Sequence, residues 1–210
     1  MIKEIHEKTT KRQEFEILRA SLNSERSSFI SHYRDLADYI LPRRPQFTVT
    51  DTNRGDRRNQ KIVNSTATLS ARTTRSGMMS GITNPSRPWF RLTTADPDLA
   101  EISAVKVWLH VVSDRMTTVF LRSNLYNILP VIYGDLSVFA TAAMGVEEDL
   151  SGDVMRFNAF PIGSYYIANN DKLEVRTFFR EFRLTVRQIV EKFEWDNISS
   201  HVQNYYNRKQ

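Results

Sequence analysis

The chain has 210 residues, and its 40% hydrophobic and 11% aromatic content is typical of a folded protein rather than a disordered one. It carries 29 Lys and Arg against 24 Asp and Glu, and the resulting net charge of +5 favours contact with polyanions only mildly. The absence of cysteine excludes disulfides, thiol chemistry and cysteine-based zinc sites. No apolar run approaches the ~20 residues of a membrane span, and the charged first residues lack the apolar segment of a signal peptide.

Residues 3–40 are predicted to form a long helix with one narrow apolar stripe. The stripe has a seven-residue repeat with further apolar residues at offset positions, and its members are Phe15, Leu18, Leu22, Phe29, Tyr33, Leu36 and Ile40. Pro42 ends the pattern, because proline cannot continue the hydrogen-bond ladder. Such a helix needs a partner, either in its own fold or on a neighbouring subunit, and the pattern does not decide between them. Two helices that meet near Asn23-Ser24 are an alternative.

The segment from Pro42 to Asn59 is predicted to be a loop, and it is the most basic part of the chain. The candidate residues for contact with DNA or with a neighbouring subunit are Arg43, Arg44, Arg54, Arg57, Arg58 and Lys61. Arginines on a flexible segment are what phosphate backbones attract. Asp51 and Asp56 interleave with them, however, so a solvated or intersubunit loop is favoured over a DNA contact.

A polar helix is predicted over residues 60–79, and a stiff connector follows it. Pro85 and Pro88 fix the backbone angle φ and remove amide donors. Trp89 and Phe90 come next, in a predicted strand, as large apolar anchors. Because this stretch has no reactive group, it indicates a role in packing one structural layer against another.

Two further helices are predicted, over residues 97–120 and 125–139. Apolar residues of the first follow the spacing of one buried face, which Trp108 widens; they are Ile102, Val105, Leu109, Val112, Met116 and Val119. Ser123-Asn124 supplies capping groups for the second helix. Pro130 is expected to kink that helix or to delay its start.

Beyond Ala140 the apolar period becomes that of β-strands. The predicted strands are residues 142–148, 154–161, 165–168 and 173–184. Thr185 is expected to cap a short helix before a polar, aromatic tail. Helices followed by an antiparallel meander define an α+β fold. The predicted division is a helical arm, an α+β domain and a truncated tail, at residues 1–41, 42–193 and 194–210.

The chain lacks the motifs that indicate an enzyme, a cofactor or a metal. Its seven glycines form no nucleotide-binding loop, its four histidines have no metal-ligand spacing, and residues 77–81 lack the spacing of a hydrolase elbow. Glu147-Glu148-Asp149 is the best acidic cluster. Neighbours on a strand point to opposite faces, so a solvated turn is favoured there over a cation site. We therefore predict no catalytic, cofactor-binding or metal-binding residues.

Four segments, in order, resemble the signatures of the podovirus-type head-to-tail connector, or portal, proteins of tailed bacteriophages. They are residues 36–44 (LADYILPRR), 76–92 (SGMMSGITNPSRPWFRL), 107–142 and 178–188. Each segment alone is a weak signal, whereas the ordered set extends from residue 15 to residue 193 and is specific. The sequence is therefore similar to the N-terminal, wing-forming part of that family.

This resemblance implies a structural subunit of a homo-oligomeric ring, typically a dodecamer, at one vertex of the virion, assembled in the host cytoplasm. Such a ring serves head assembly with capsid and scaffolding proteins, docks the terminase, passes double-stranded DNA in packaging and ejection, and holds tail adaptor proteins. Family members continue into stem, clip and channel-lining helices. The chain is thus expected to be a fragment, a split gene product or a truncated portal. The alternative function is that of a small basic nucleic-acid-binding protein.

Overall fold

The computed structural model describes residues 11–45, 57, 59–149, 152 and 154–207. The contacts divide the chain into two compact units, Met1–Phe178 and Phe179–Gln210. The predicted boundaries at residues 41 and 193 stay a prediction. The C-terminal end of the first helix, with Ala37 fully buried, belongs to the core of the first unit.

Within the described residues the helices precede and follow a group of four strands. The helices are α1 (Lys11–Tyr39), α2 (Thr66–Gly81), α3 (Pro97–Glu101), α4 (Ser103–Arg122), α5 (Leu125–Phe139), α6 (Val186–Phe193) and α7 (Ser200–Asn207), with a short 3₁₀ helix at Trp195–Asn197. The strands are β1 (Ala143–Asp149), β2 (Val154–Phe160), β3 (Tyr165–Asn169) and β4 (Val175–Arg180). The α+β class is confirmed.

The helices agree with prediction in position and differ from it at several ends. α1 is continuous through Asn23-Ser24, so the two-helix alternative is wrong, and its predicted first turns lie outside the described residues. α2 begins at Thr66 because the Asn64 side chain accepts a hydrogen bond from the Thr66 amide (2.8 Å), a local turn that competes with helix. The predicted helix 97–120 is interrupted at Ile102, whose backbone is extended.

The four strands form two separate two-stranded sheets instead of one continuous meander. β1 and β2 pair antiparallel, from Ala143 opposite Phe160 to Asp149 opposite Val154, and β3 pairs with β4. A turn separates the sheets, because the Ser164 amide and hydroxyl both donate to the Pro161 carbonyl (3.0 and 2.7 Å). The chain is thereby redirected so that β3 packs against α1 rather than extending the first sheet.

The core of the first unit lies around α5, which supplies buried residues to two apolar clusters. One cluster joins α5 to α1 and the strands; it contains Ala37, Phe139, Phe160, Ile162 and Tyr165. The other contains Leu125, Leu129, Tyr133 and Phe157, with α2 methionines at its edge. α5 begins at Leu125, as predicted, so Pro130 does not delay its start. α5 is therefore the central element of this unit.

The second unit consists of short helices held by local contacts. Thr185 caps α6 as predicted, because its hydroxyl accepts from the Gln188 amide while the Gln188 side chain accepts from the Thr185 amide. The Trp195 and Tyr206 rings lie 5.7 Å apart, centroid to centroid. Among the described residues, no helix of either unit is both long enough and apolar enough to cross a membrane.

Candidate functional site

The aromatic segment after α2 docks on the two central helices. The Asn84 side chain accepts from the Ser86 amide (2.9 Å), and this turn leads through the prolines to Trp89. The Trp89 ring stacks on Phe120 of α4 with 6.1 Å between centroids, and Phe90 meets Phe120 edge-on at 5.7 Å. The Trp89 indole N–H donates to the Tyr126 hydroxyl of α5 (3.0 Å). The segment therefore fixes the chain against both α4 and α5.

This anchoring takes place at the surface, outside the buried core. The Trp89 side chain is 37% exposed, Phe90 is half-buried, and Pro85 and Pro88 are exposed. The prediction of a strand at Trp89-Phe90 is wrong: residues 88–94 have no regular secondary structure. A physical reason is that Pro88 lacks an amide donor, and the two rings find their partners on helices instead of in a sheet.

α4 carries an apolar surface that its own chain leaves uncovered. Trp108 is 62% exposed and Val107 60%, and Val111 lies beside them on the same side of the helix. The prediction that Trp108 widens a buried face is therefore wrong for the single chain. The opposite side of α4 is only half-buried, and no residue of the helix is fully buried. We call Val107, Trp108 and Val111 the α4 apolar face.

The first helix is likewise only partly covered. Leu22 and Ala37 are buried, whereas Ile17, Leu18 and Phe29 are 66%, 40% and 53% exposed. The apolar stripe thus packs within its own unit mainly towards the C-terminal end of α1. Both alternatives for its partner, the same fold and a neighbouring subunit, remain compatible with this arrangement.

Arg44, one of the predicted DNA-contact residues, is held inside the fold. Its guanidinium donates to both carboxylate oxygens of Asp135, with Nε 2.8 and 2.9 Å from them, and to the Phe160 carbonyl (3.2 Å). Asp135 is 1% exposed. Burial raises the pKa of the Asp135 carboxyl, and the hydrogen bonds and charge of Arg44 act against that rise. This pair joins the end of α1 to α5 and β2.

The other basic candidates lie in different surroundings. Lys61 donates to the Asp38 carboxylate (2.6 Å), and this hydrogen bond, aided by the carboxylate charge, raises the Lys61 pKa. Arg43 and Arg57 are exposed, and no carboxylate pairs with either in the part of the chain that the structure describes. Arg54 and Arg58 lie outside the described residues. A role in DNA or subunit contact remains a prediction for all six residues.

The structure adds a basic residue that the sequence pattern did not indicate. Arg75 of α2 lines the same cleft as Arg43 and Arg44, which has a volume of about 530 Å³. Arg75 lies 32 positions after Arg43 in the sequence, and only the packing of α2 on α5 places them at one cleft. The sequence shows Arg72 and Arg75 on a polar helix, but it does not show that Arg75 reaches the cleft of Arg43.

The acidic cluster lies on the first sheet. Glu147, Glu148 and Asp149 fall at successive positions of β1, with Glu147 opposite Arg156 of β2. Consecutive residues of a strand point to opposite faces, so these carboxylates do not converge. Within the described ranges, no three His, Asp or Glu side chains are grouped closely enough to hold a metal ion.

Comparison with known proteins assigns a family. The model of the family described as bacteriophage head to tail connecting protein matches residues 12–210. The chain is 52% identical to the portal protein of Salmonella phage epsilon15 over 187 residues, which are 89% of this chain and 34% of that protein. It is 42% identical, with the same coverage, to the probable portal protein of Bordetella phage BPP-1.

The chain thus spans about a third of the length of the curated relatives it matches. The family match extends beyond the individual segments that carried the resemblance, from the beginning of α1 to the last residue. The resemblance to connector proteins is thereby confirmed at the level of the family. This chain belongs to the bacteriophage head to tail connecting protein family.

Proposed function

We propose that this chain forms part of a subunit of a ring-shaped phage portal, and that its role is structural rather than enzymatic. The observation that carries the proposal is the α4 apolar face, where Trp108 is 62% exposed on a helix that packs on its own chain from the other side. Exposed aromatic residues grouped with other apolar side chains are typical of protein interfaces. Membership of the connector family supports a second copy of the chain as the partner.

A ring requires two different surfaces on each subunit, because its contacts run head to tail. The first unit offers a second apolar surface in Ile17, Leu18 and Phe29 of α1. We propose that the α4 apolar face and these α1 residues both take part in contacts between neighbouring subunits. A dodecamer is the ring size that the resemblance implies.

The remaining partners are proposed from the names of the relatives and the family. A portal of this kind acts at one vertex of the virion after assembly in the host cytoplasm. It would contact capsid and scaffolding proteins during head assembly, the terminase and double-stranded DNA during packaging and ejection, and tail adaptor proteins afterwards. Arg43 and Arg57, exposed and without a carboxylate partner among the described residues, support a contact with DNA or with a neighbour.

The molar mass of the 210-residue chain in solution tests the proposal. Static light scattering should give an assembly of many subunits that dissociates on dilution. A chain that stays monomeric up to the highest soluble concentration would contradict a subunit contact made by this part of the protein.

The alternative, a small basic nucleic-acid-binding protein, is favoured by the net charge of +5 and by Arg43 and Arg57, which have no carboxylate partner among the described residues. It predicts that a monomer or dimer binds duplex DNA tightly and that affinity falls steeply with salt. Measuring mass and DNA binding on the same preparation separates the two functions.

A further inference from the structure

We infer that the cleft lined by Arg43 and Arg75 binds a phosphate group of a nucleic-acid backbone. The segment that follows α1 and residues of α2 and α5 line this cleft, and its apolar walls include Leu41, Pro42 and Val131. The inference depends on the proposed function only for the source of the phosphate, which is double-stranded DNA.

The described residues around the cleft have unbalanced charges. Among them, Arg43, Arg44 and Arg75 line it together with one carboxylate, that of Asp135. Arg44 engages both oxygens of that carboxylate, which is 1% exposed, so Asp135 is not available to a second arginine. Arg43 and Arg75 have no carboxylate partner in the described part of the chain. The cleft therefore has two positive charges ready to bind an anion.

The position of Arg75 depends on close packing between two helices. Gly134 of α5 is buried, and a Cβ atom placed on it would lie 3.5 Å from Arg75 Cδ. The aliphatic part of Arg75 thus rests on α5, and the side chain is half-buried instead of extending freely into solvent. A guanidinium restricted in this way loses less conformational entropy when it binds an anion.

The surrounding sequence favours a phosphate backbone over a single carboxylate. The sequence after Arg44 continues with Arg54, Arg57 and Arg58, so further cations follow along the chain. An extended set of cations suits a polyanion with regularly repeated charges, whereas a carboxylate from a neighbouring subunit needs only one or two of them. Arginine also binds phosphate oxygens in bidentate geometry, which explains the use of Arg at both positions.

The test measures duplex DNA binding by the 210-residue chain between about 50 and 200 mM salt. Arg43→Ala and Arg75→Ala should each reduce the slope of log affinity against log salt by about 0.9, the value for one lost phosphate contact. Arg72→Ala is the matched control, since Arg72 is an exposed arginine of the same helix outside the cleft. Arg75→Lys keeps the charge and should keep the slope.

Two results would overturn the inference. One is that Arg43→Ala and Arg75→Ala show the same salt slope as Arg72→Ala, which would also follow if the occupant were free inorganic phosphate. The other is that they reduce the molar mass in light scattering without changing DNA binding, since the cleft would then hold a carboxylate of a neighbouring copy. Arg43→Ala and Arg75→Ala support the inference if they assemble normally and show the reduced slope of log affinity against log salt. The assembly of the unmodified chain tests the proposed function separately.

Discussion

α5 and α4 are consecutive helices with similar apolar spacing, but only α5 is buried. In α5, 15 residues long, six are buried, and elements of the same unit cover it through two apolar clusters. α4 is 20 residues long and has no buried residue. The comparison shows that an apolar pattern predicts that a helix has a partner, without showing whether the partner belongs to the same chain.

The largest expected loss of stability comes from removing the carboxylate of Asp135 on the buried helix α5. Asp135→Ala leaves the partly buried Arg44 guanidinium without its carboxylate, and removing one partner of a buried ion pair costs about 3–5 kcal/mol. The midpoint of urea unfolding should fall accordingly. Lys61→Ala breaks the more exposed pair with Asp38 and is the control, for which we expect little change. Equal losses from both variants would contradict the central position of α5.

Removing a buried aromatic side chain from α5 should lower the free energy of unfolding more than removing an exposed one from α4. Phe139 of α5 is 3% exposed, and Phe139→Ala should reduce the free energy of unfolding by about 3–5 kcal/mol. Trp108→Ala on α4 should change it by no more than about 0.5 kcal/mol, because the ring is 62% exposed. Urea unfolding of the dissociated chain, at concentrations where no assembly is detected, provides the comparison.

Trp89 is expected to be intermediate. Its ring is 37% exposed and its indole N–H donates to Tyr126, so Trp89→Ala should cost more than Trp108→Ala and less than Phe139→Ala. Loss of the hydrogen bond alone, in Tyr126→Phe, should cost about 0.5–1.5 kcal/mol. If Trp89→Ala lowers the urea midpoint of the dissociated chain and leaves assembly unchanged, this segment stabilises the fold. If Trp89→Ala weakens assembly and leaves the urea midpoint unchanged, the segment belongs to the subunit contact.

The last effect, confined to alkaline pH, is the pH dependence from Tyr165 in the core beside α5. Burial raises the pKa of the Tyr165 phenol to about 12, so the folded state favours the neutral form. Its stabilisation is therefore complete below the ordinary tyrosine pKa of about 10 and is lost as the pH rises towards 12. Urea midpoints should fall across this interval, and the fall should be smaller in Tyr165→Phe. Identical profiles would contradict the shift.

Local signals in the sequence predicted the buried helix and the cap of α6 well. The Thr185–Gln188 capping box acts within a few residues, so its position is visible in the sequence. The Asn124 side chain does not cap α5 as predicted, because it exchanges hydrogen bonds with the Phe157 backbone of β2 (2.7 and 2.8 Å). The strand at Trp89-Phe90 was predicted wrongly, since apolar residues after prolines do not reveal whether their partner is a sheet or a helix. The break at Ile102 had no local signal either.

The candidate sites depended on contacts distant in the sequence. Arg44 looked like the other arginines of its segment, and only the fold shows that Asp135, 91 positions away, binds it. Arg75 joins Arg43 at one cleft for the same reason. Residue type and spacing predicted a basic region, but which cations remain available to a ligand depends on tertiary packing.

The most direct test of the central claim is the sedimentation velocity of Trp108→Glu compared with His110→Glu. Both substitutions add one negative charge to an exposed position of α4, but His110 lies about 160° around the helix from Trp108. We expect His110→Glu to assemble like the unmodified chain and Trp108→Glu to sediment as a monomer with unchanged unfolding. If Trp108→Glu assembles normally, the α4 apolar face is not a contact between subunits.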